Sequence, residues 1–504
     1  MPITRAGELN TAALQVPDTY VQLMPPQNRT LPEVATNILA VVGTASWGPI
    51  AKAVNVGSYA DYAISFGPAR EREHDAGTAV VVAGFQGASR FKIVRVTDGT
   101  ETKAQAAGPD GSAFYALYTG SFGNGIRVTI GKGSKVGTYR AVIAAPGRVS
   151  ETYDNIAAAT FWPDLAVAVG QGTTTRGASR LVTLNPGTAA AISADATFSL
   201  TGGTDGADGV EDEDLLGTDG AVRTGMYALR GVDVSILLLA DLDDITTWAS
   251  VVQFCAHEKM YGILAFPAGT SVDDVGSLKE SAGIDDWTVD ILHGDHLVWR
   301  DSTTGRLRST SQASFKAGRL ANLSPHISAL NKPVLGVVGS QRLGLPGAGE
   351  EGGYSRADLA ALVEAGVDLI TNPIPAGPMW GCRIGHNASS DEGVNSDTYA
   401  RMTYFLAKTI DAGMGPYIGA PITDELPGSI RASISTRLSI IENQGMLNRG
   451  SWSVTSNDTP EQIAAGMLVV EVDVRLTATL EKLIVNLQAG VGVTIARQST
   501  PLAA

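Results

Sequence analysis

The sequence is poor in the residues from which most catalytic and metal sites are built. Two cysteines, Cys255 and Cys382, stand far apart in 504 residues and form no CxxC pair, so neither a disulfide scaffold nor a cysteine-based zinc site is expected, and a reducing compartment fits. Six histidines leave a catalytic base little choice. Basic residues are also outnumbered: 37 Lys and Arg against 51 Asp and Glu give a formal net charge of −14. Such a field repels nucleic acid and anionic membrane surfaces, so neither is an expected partner. No apolar run approaches the roughly 18 residues that span a bilayer. The opening stretch MPITRAGELNTAALQVPD carries Glu8 and Asp18 and lacks the apolar core of a secretory signal. A soluble protein without membrane insertion is the expectation.

What the chain does have is aliphatic material, at 44% hydrophobic residues, together with 58 glycines and 23 prolines, enough for several real cores joined by many turns. Residues 1–37 read as an extended arm whose one strand-like run, TYVQLM, has no partner strand close in sequence. From 38 to 96, and again from 205 to 372, near-continuous Ile, Leu and Val strands (ILAVVG, FKIVRV, VDVSILLLA, YGILAFP, KPVLGVVG, VDLITN) alternate with helical stretches such as AGTAVVVAGFQGA, TTWASVVQFCAHEKM and SRADLAALVEAG. That alternation predicts a central, doubly wound parallel sheet covered on both faces. In the last of these helices Ser355 and Asp358 form an S-x-x-D cap.

Residues 97–204 change character, with short β-rich pieces between Gly, Asn and Pro turns, and read as a small inserted β-domain. It closes on LTGGTDGADGVEDEDLLGTDG, an acidic run read as a solvated inter-domain loop. The last part, 373–504, reads as an α+β C-terminal domain with a terminal arm. Ile434, Leu438 and Ile441 form a helical stripe, MLVVEVDVRL alternates as a half-buried strand, and VGVTIA is a strand without a local partner. The expected fold class is therefore multidomain α/β with extended N- and C-terminal arms.

Each enzyme motif fails at the residue its chemistry needs. In ILAVVGTASWGPI a glycine-rich turn follows a strand, but the lysine and hydroxyl that would meet phosphate and magnesium are replaced by Pro49 and Ile50. GSQRLGLP, from Gly339 to Pro346, fails in the same way. The GxGxxG at Gly347, Gly349 and Gly352 stands well after its strand and carries Glu350 and Glu351, which repel a pyrophosphate. HEKMY at His257 has Tyr261 where a second zinc ligand is required. No GxSxG elbow occurs. His293, Asp295 and His296 in ILHGDH are the best acid/base or metal cluster; they define the alternative reading, a hydrolase-like or metal-dependent α/β enzyme, against a plain polar loop.

TYVQLMPPQNRTLPEVATNILAVVGTASWGPIAKAVNVGSYADYAISFG combines an extended arm, a strand, G-T-A-x-x-G-P, and a later S-Y-x-D-Y with F-G; LTGGTDG and TPEQIAAGMLVVEVDVRL follow further along. Together these stretches resemble the tail sheath proteins of contractile bacteriophage tails and related injection machines. The segment from His293 to Lys332 departs from that pattern, lacking the tyrosine-rich strand of many sheaths. The resemblance implies a central domain of subtilisin-like shape, here without a recognisable triad, in a structural, non-enzymatic protein without cofactor. It implies a subunit that polymerises as stacked six-fold rings around a tail tube and contracts to drive the tube through a cell envelope.

Its implied partners are further copies of itself, the tail tube protein, and the baseplate and tail terminator proteins; its implied location is the virion tail, after assembly in the bacterial host cytoplasm. Family arms complete sheets in neighbouring subunits, and unpaired strands suit such β-augmentation, which makes Tyr20, Val21 and Gln22, with Val491, Val493 and Ile495, the candidate intersubunit strands. Because the family faces the tube with its C-terminal region, Arg431 and Arg437, on one helix, are the candidate tube contacts, against a merely solvated helix face.

Overall fold

The computed structural model describes residues 34–174, 176–342 and 353–487, and the backbone of Ile3–Arg5 and Val21–Leu23. At its centre lies a six-stranded sheet in the order Val289–Leu292, Tyr261–Ala265, Ile236–Leu239, Leu39–Gly43, Phe91–Arg95, Val54–Val56. Its neighbours run parallel except at the last pair, where Val54–Val56 is antiparallel.

Successive side chains of each strand divide between two cores. Leu39, Val41, Ile93, Leu238 and Ile263 meet helices Ala76–Phe85 and Gln312–Asn322 on one face. Ala40, Val42, Val94, Leu239 and Leu264 meet Trp248, Val251 and Phe254 of helix Trp248–Glu258 on the other. Strands buried on both faces are what an uninterrupted run such as LAVVG requires. The first two helices cross closely enough that a Cβ on Gly318 would overlap the backbone of Ala83, so glycine is needed there for contact rather than for conformation.

Three expectations about strand pairing and the 372/373 boundary need correction. Val337–Ser340 does not join the parallel sheet; it pairs antiparallel with Leu297–Arg300, which forms a hairpin with Leu307–Thr310. The link between 300 and 307 is too short for the crossover that a parallel pair needs, and Val337–Ser340 then fills the hairpin's free edge. Ile370–Thr371 likewise pairs antiparallel with Gly381–Cys382, although a parallel bridge ties Asp368 to Leu292. The expected division at 372/373 therefore cuts through one packed unit. Ile384 and Ala388 belong to the second core and Ala400 to the first, and buried Arg401 donates to the carbonyls of Leu320, Leu323 and Ile327.

Residues 104–200 build their own core around two antiparallel sheets and helix Phe161–Gln171. The central body contributes one side chain to it, Trp47, 1% exposed, whose ring meets Tyr118 and Phe122 edge-on at 5.5 Å. Arg95, at the end of its strand, holds the same joint. Fully buried, it donates to the carbonyls of Gly48 (3.0 Å), Thr119 (2.8 Å) and Asp205 (2.9 Å), and burial pulls its guanidinium down to about 10. The Asp205 carboxylate takes hydrogen bonds from Arg72 (2.7 Å) and the Ser121 N–H (2.5 Å). The start of the acidic run is thus a bonded joint, not the solvated loop expected.

Helices Asp397–Met414 and Leu426–Asn443 pack through Met402, Phe405, Ile434, Leu438 and Ile441, as the stripe predicted. An antiparallel hairpin of Trp452–Ser456 with Val470–Val474 lies against them. At the other end of the chain, Val21–Leu23 pairs in parallel with Ile3–Arg5. TYVQLM therefore has a partner within its own arm, contrary to expectation; ITR carries too little apolar signal to be read as a strand.

Candidate functional site

The enzyme alternative rests on the loop after Val289–Leu292, at the carboxyl end of the parallel sheet, where α/β folds usually hold ligands. His293 is buried, and its Nδ1 lies 3.2 Å from the Tyr354 hydroxyl, which donates to Asp295 Oδ2 at 3.0 Å. Asp295 Oδ1 accepts the Arg342 N–H at 2.9 Å, and its backbone carbonyl accepts Gln312 Nε2 at 2.7 Å. Burial pulls the His293 imidazole down to about 4, against the opposing charge of Asp295; a ring that stays neutral at working pH is held as a packing and hydrogen-bonding group.

His296 faces elsewhere. Its side chain lines a cleft of about 300 Å³ with Glu73, Asp241, Arg308 and Ser311 among others, to which His293 does not contribute. The three residues close in sequence do not converge on one reacting position. Among the described residues no group of three or more His, Cys, Asp or Glu side chains is arranged to hold a metal ion, and no helix is long and apolar enough to cross a membrane.

The assembly candidates fare unevenly. Tyr20 lies outside the described residues, as do Val491, Val493 and Ile495, while Val21 and Gln22 stand in the strand paired with Ile3–Arg5. Arg431 is exposed, but Arg437 is only 7% exposed, packed beside Ile434 and Leu438. Six positions along a helix amount to one and two-thirds turns, so the two arginines occupy different faces, and the expectation that both present themselves together on one contact surface is corrected: of the two, only Arg431 is exposed.

Sequence reading missed two features. The Trp452–Ser456/Val470–Val474 hairpin is a two-stranded sheet among the described residues, so its outer edges carry unpaired backbone groups. It is followed by residues 475–487, which belong to no helix or strand and in which Leu480, Leu483, Ile484, Val485 and Leu487 are 74% to 84% exposed. The run TLEKLIVNLQ signalled this, since it offers no turn that would fold its aliphatic side back. The second feature is a fully buried charge cluster, Lys316 with Asp290 and Asp368. Its signal was charge embedded in apolar strands (TVDIL, GVDLIT), where burial demands a partner.

No family model and no curated protein matches the chain. Its structure is similar to a sheath tail protein of Listeria innocua, at a TM-score of 0.61 and 14% identity, covering 88% of this chain and 96% of that one. It is similar also to a sheath tail protein of Desulfitobacterium hafniense, at a TM-score of 0.57, 15% identity, and 87% and 93% coverage. A third neighbour is the PVC sheath of an extracellular contractile injection system in its contracted state, at 0.55 and 12%, covering 94% of this chain and 98% of that one. Across nearly its whole length, this chain has the fold of the sheath proteins of contractile tails and injection systems.

Proposed function

We propose that the protein is a structural, non-enzymatic sheath subunit that assembles with copies of itself into stacked six-fold rings around a tail tube, and contracts to push the tube through a cell envelope. The observation that carries this reading is the exposed aliphatic run at 475–487 beside an open two-stranded sheet. A monomer that worked alone would not leave five large apolar side chains of one segment in water, whereas a subunit that adds this strand to its neighbour's sheet edge would bury them.

In this reading the chain comprises an arm at 1–37, a central α/β body of subtilisin-like outline, an inserted β-domain at 97–204, and a C-terminal domain ending in a second arm. Tyr20, Val21, Gln22, Val491, Val493 and Ile495 belong to the linking strands, and Arg431 faces the tube. Baseplate and terminator proteins cap the polymer, which is assembled in the bacterial host cytoplasm and ends in the virion tail. Contraction energy is stored in subunit packing, and no bound nucleotide is needed.

Truncation after Arg475 tests it. The shortened protein should melt as the full chain does and remain monomeric on sedimentation; polymers formed by the truncated chain would remove the segment from the assembly.

A further inference from the structure

Lys316 lies on helix Gln312–Asn322, Asp290 on strand Val289–Leu292, and Asp368 just ahead of strand Ile370–Thr371; all three side chains are 0% exposed. Lys316 Nζ is in contact with Asp368 Oδ2 and lies 3.0 Å from Asp290 Oδ2. One ammonium and two carboxylates sealed from water are an expensive arrangement, because buried ions lose hydration that mutual attraction only partly restores. The two carboxylates differ sharply in their surroundings. Asp368 Oδ1 accepts the N–H groups of Leu369 (2.6 Å) and Ile384 (3.1 Å), and its Oδ2 accepts the Gly385 N–H (2.9 Å). Asp290 has no hydrogen-bond donor at either oxygen apart from its ion pair with Lys316.

We propose that Lys316 and Asp368 condense into an intramolecular isopeptide bond, with Asp290 as the proton carrier. The Lys316 ammonium gives a proton to Oδ2 of Asp368, with which it is in contact, and the freed amine attacks Cγ of Asp368. The carbonyl oxygen Oδ1 takes the developing negative charge and is held by two backbone N–H groups, the geometry that stabilises a tetrahedral intermediate. Asp290 passes its proton to the departing Oδ2 and recovers one from the nitrogen. The Nζ–Cγ bond forms, the Cγ–Oδ2 bond breaks, and Oδ2 leaves as water with two of the lysine protons. Charge is zero before and after, counting ammonium, carboxylate and carboxylic acid, and no oxidant or co-reactant enters.

Burial pushes Asp290 up to about 7, with Lys316 opposing and Asp368 adding to the rise, which suits a group that carries a proton at neutral pH. Holding amine and carboxyl in contact supplies the effective concentration that an uncatalysed amide synthesis lacks. The product removes both ions from the core, and exclusion of water protects it from hydrolysis. Such a bond would tie a helix on one face of the central sheet to the 368–385 segment, across 52 positions of sequence.

The test is mass spectrometry of the purified full-length chain, intact and after trypsin under denaturing conditions. The expected mass is lower than the sequence mass by one water, with no cleavage after Lys316 and a branched peptide joining Lys316 to Asp368. D290N should restore the full mass. If that variant fails to fold, the wild-type digest still decides: a linear peptide cut after Lys316, or a water loss mapped to another site, overturns the proposal.

Discussion

At the scale of single residues, the chain places its chemistry in packing. Trp47 looks from the sequence like an obstacle in a phosphate loop, and it is the one body side chain inside the inserted module's core. W47A removes a fully buried aromatic, and a loss of about 3–5 kcal/mol is expected, read as an earlier transition in thermal unfolding; unchanged melting would show that the two cores are not coupled through it. His293 makes a second prediction. Its folded-state value of about 4 lies below the ordinary imidazole value, so the unfolded chain takes up a proton first as pH falls. The stability it contributes is complete above about pH 6.5, is lost between there and pH 4, and amounts to up to roughly 3 kcal/mol. Melting temperature against pH for the wild type and H293Q checks this: the variant should lose part of the slope in that window, and parallel curves would contradict the assignment.

At the scale of elements, legibility followed periodicity. The runs ILAVVG, VDVSILLLA and YGILAFP became strands of the central sheet because uninterrupted aliphatic stretches have one stable fate, burial on both faces. The stripe of Ile434, Leu438 and Ile441 became a helix face for the same reason. Topology was less legible. KPVLGVVG has a parallel strand's composition, yet the short 301–306 link created an antiparallel edge for it to fill. The candidate site was least legible, since sequence neighbours such as His293 and His296 turn to different surroundings, while Lys316, Asp290 and Asp368 meet from three distant elements. Two element-scale predictions follow from contact geometry. G318A forces a methyl into the Ala83 backbone and should destabilise the protein by about 1–3 kcal/mol in denaturant unfolding; a neutral result would mean that the helices separate freely. Deleting the first 22 residues removes both arm strands except Leu23, and should leave the melting of the body intact while abolishing polymer on sedimentation; normal polymers would remove the arm from the assembly.

At the scale of the whole molecule, three packed cores and a C-terminal cluster hold the described chain, with Arg95 and Trp47 joining the central body to the core of residues 104–200. Under the proposed sheath function, rigid units with defined joints would let subunits slide, and the sheet edge left open among the described residues, beside an exposed apolar segment, would let each subunit borrow completion from the next. Polymerisation in this account is driven mainly by burial of aliphatic surface, so raising ionic strength should not dissolve the assembly as it would one held by surface ion pairs. Negative-stain electron microscopy of the purified full-length protein tests the central claim most directly. The account predicts long hollow cylinders with a regular axial repeat and six-fold end-on views; a preparation of dispersed, folded monomers at every concentration and salt condition would contradict it.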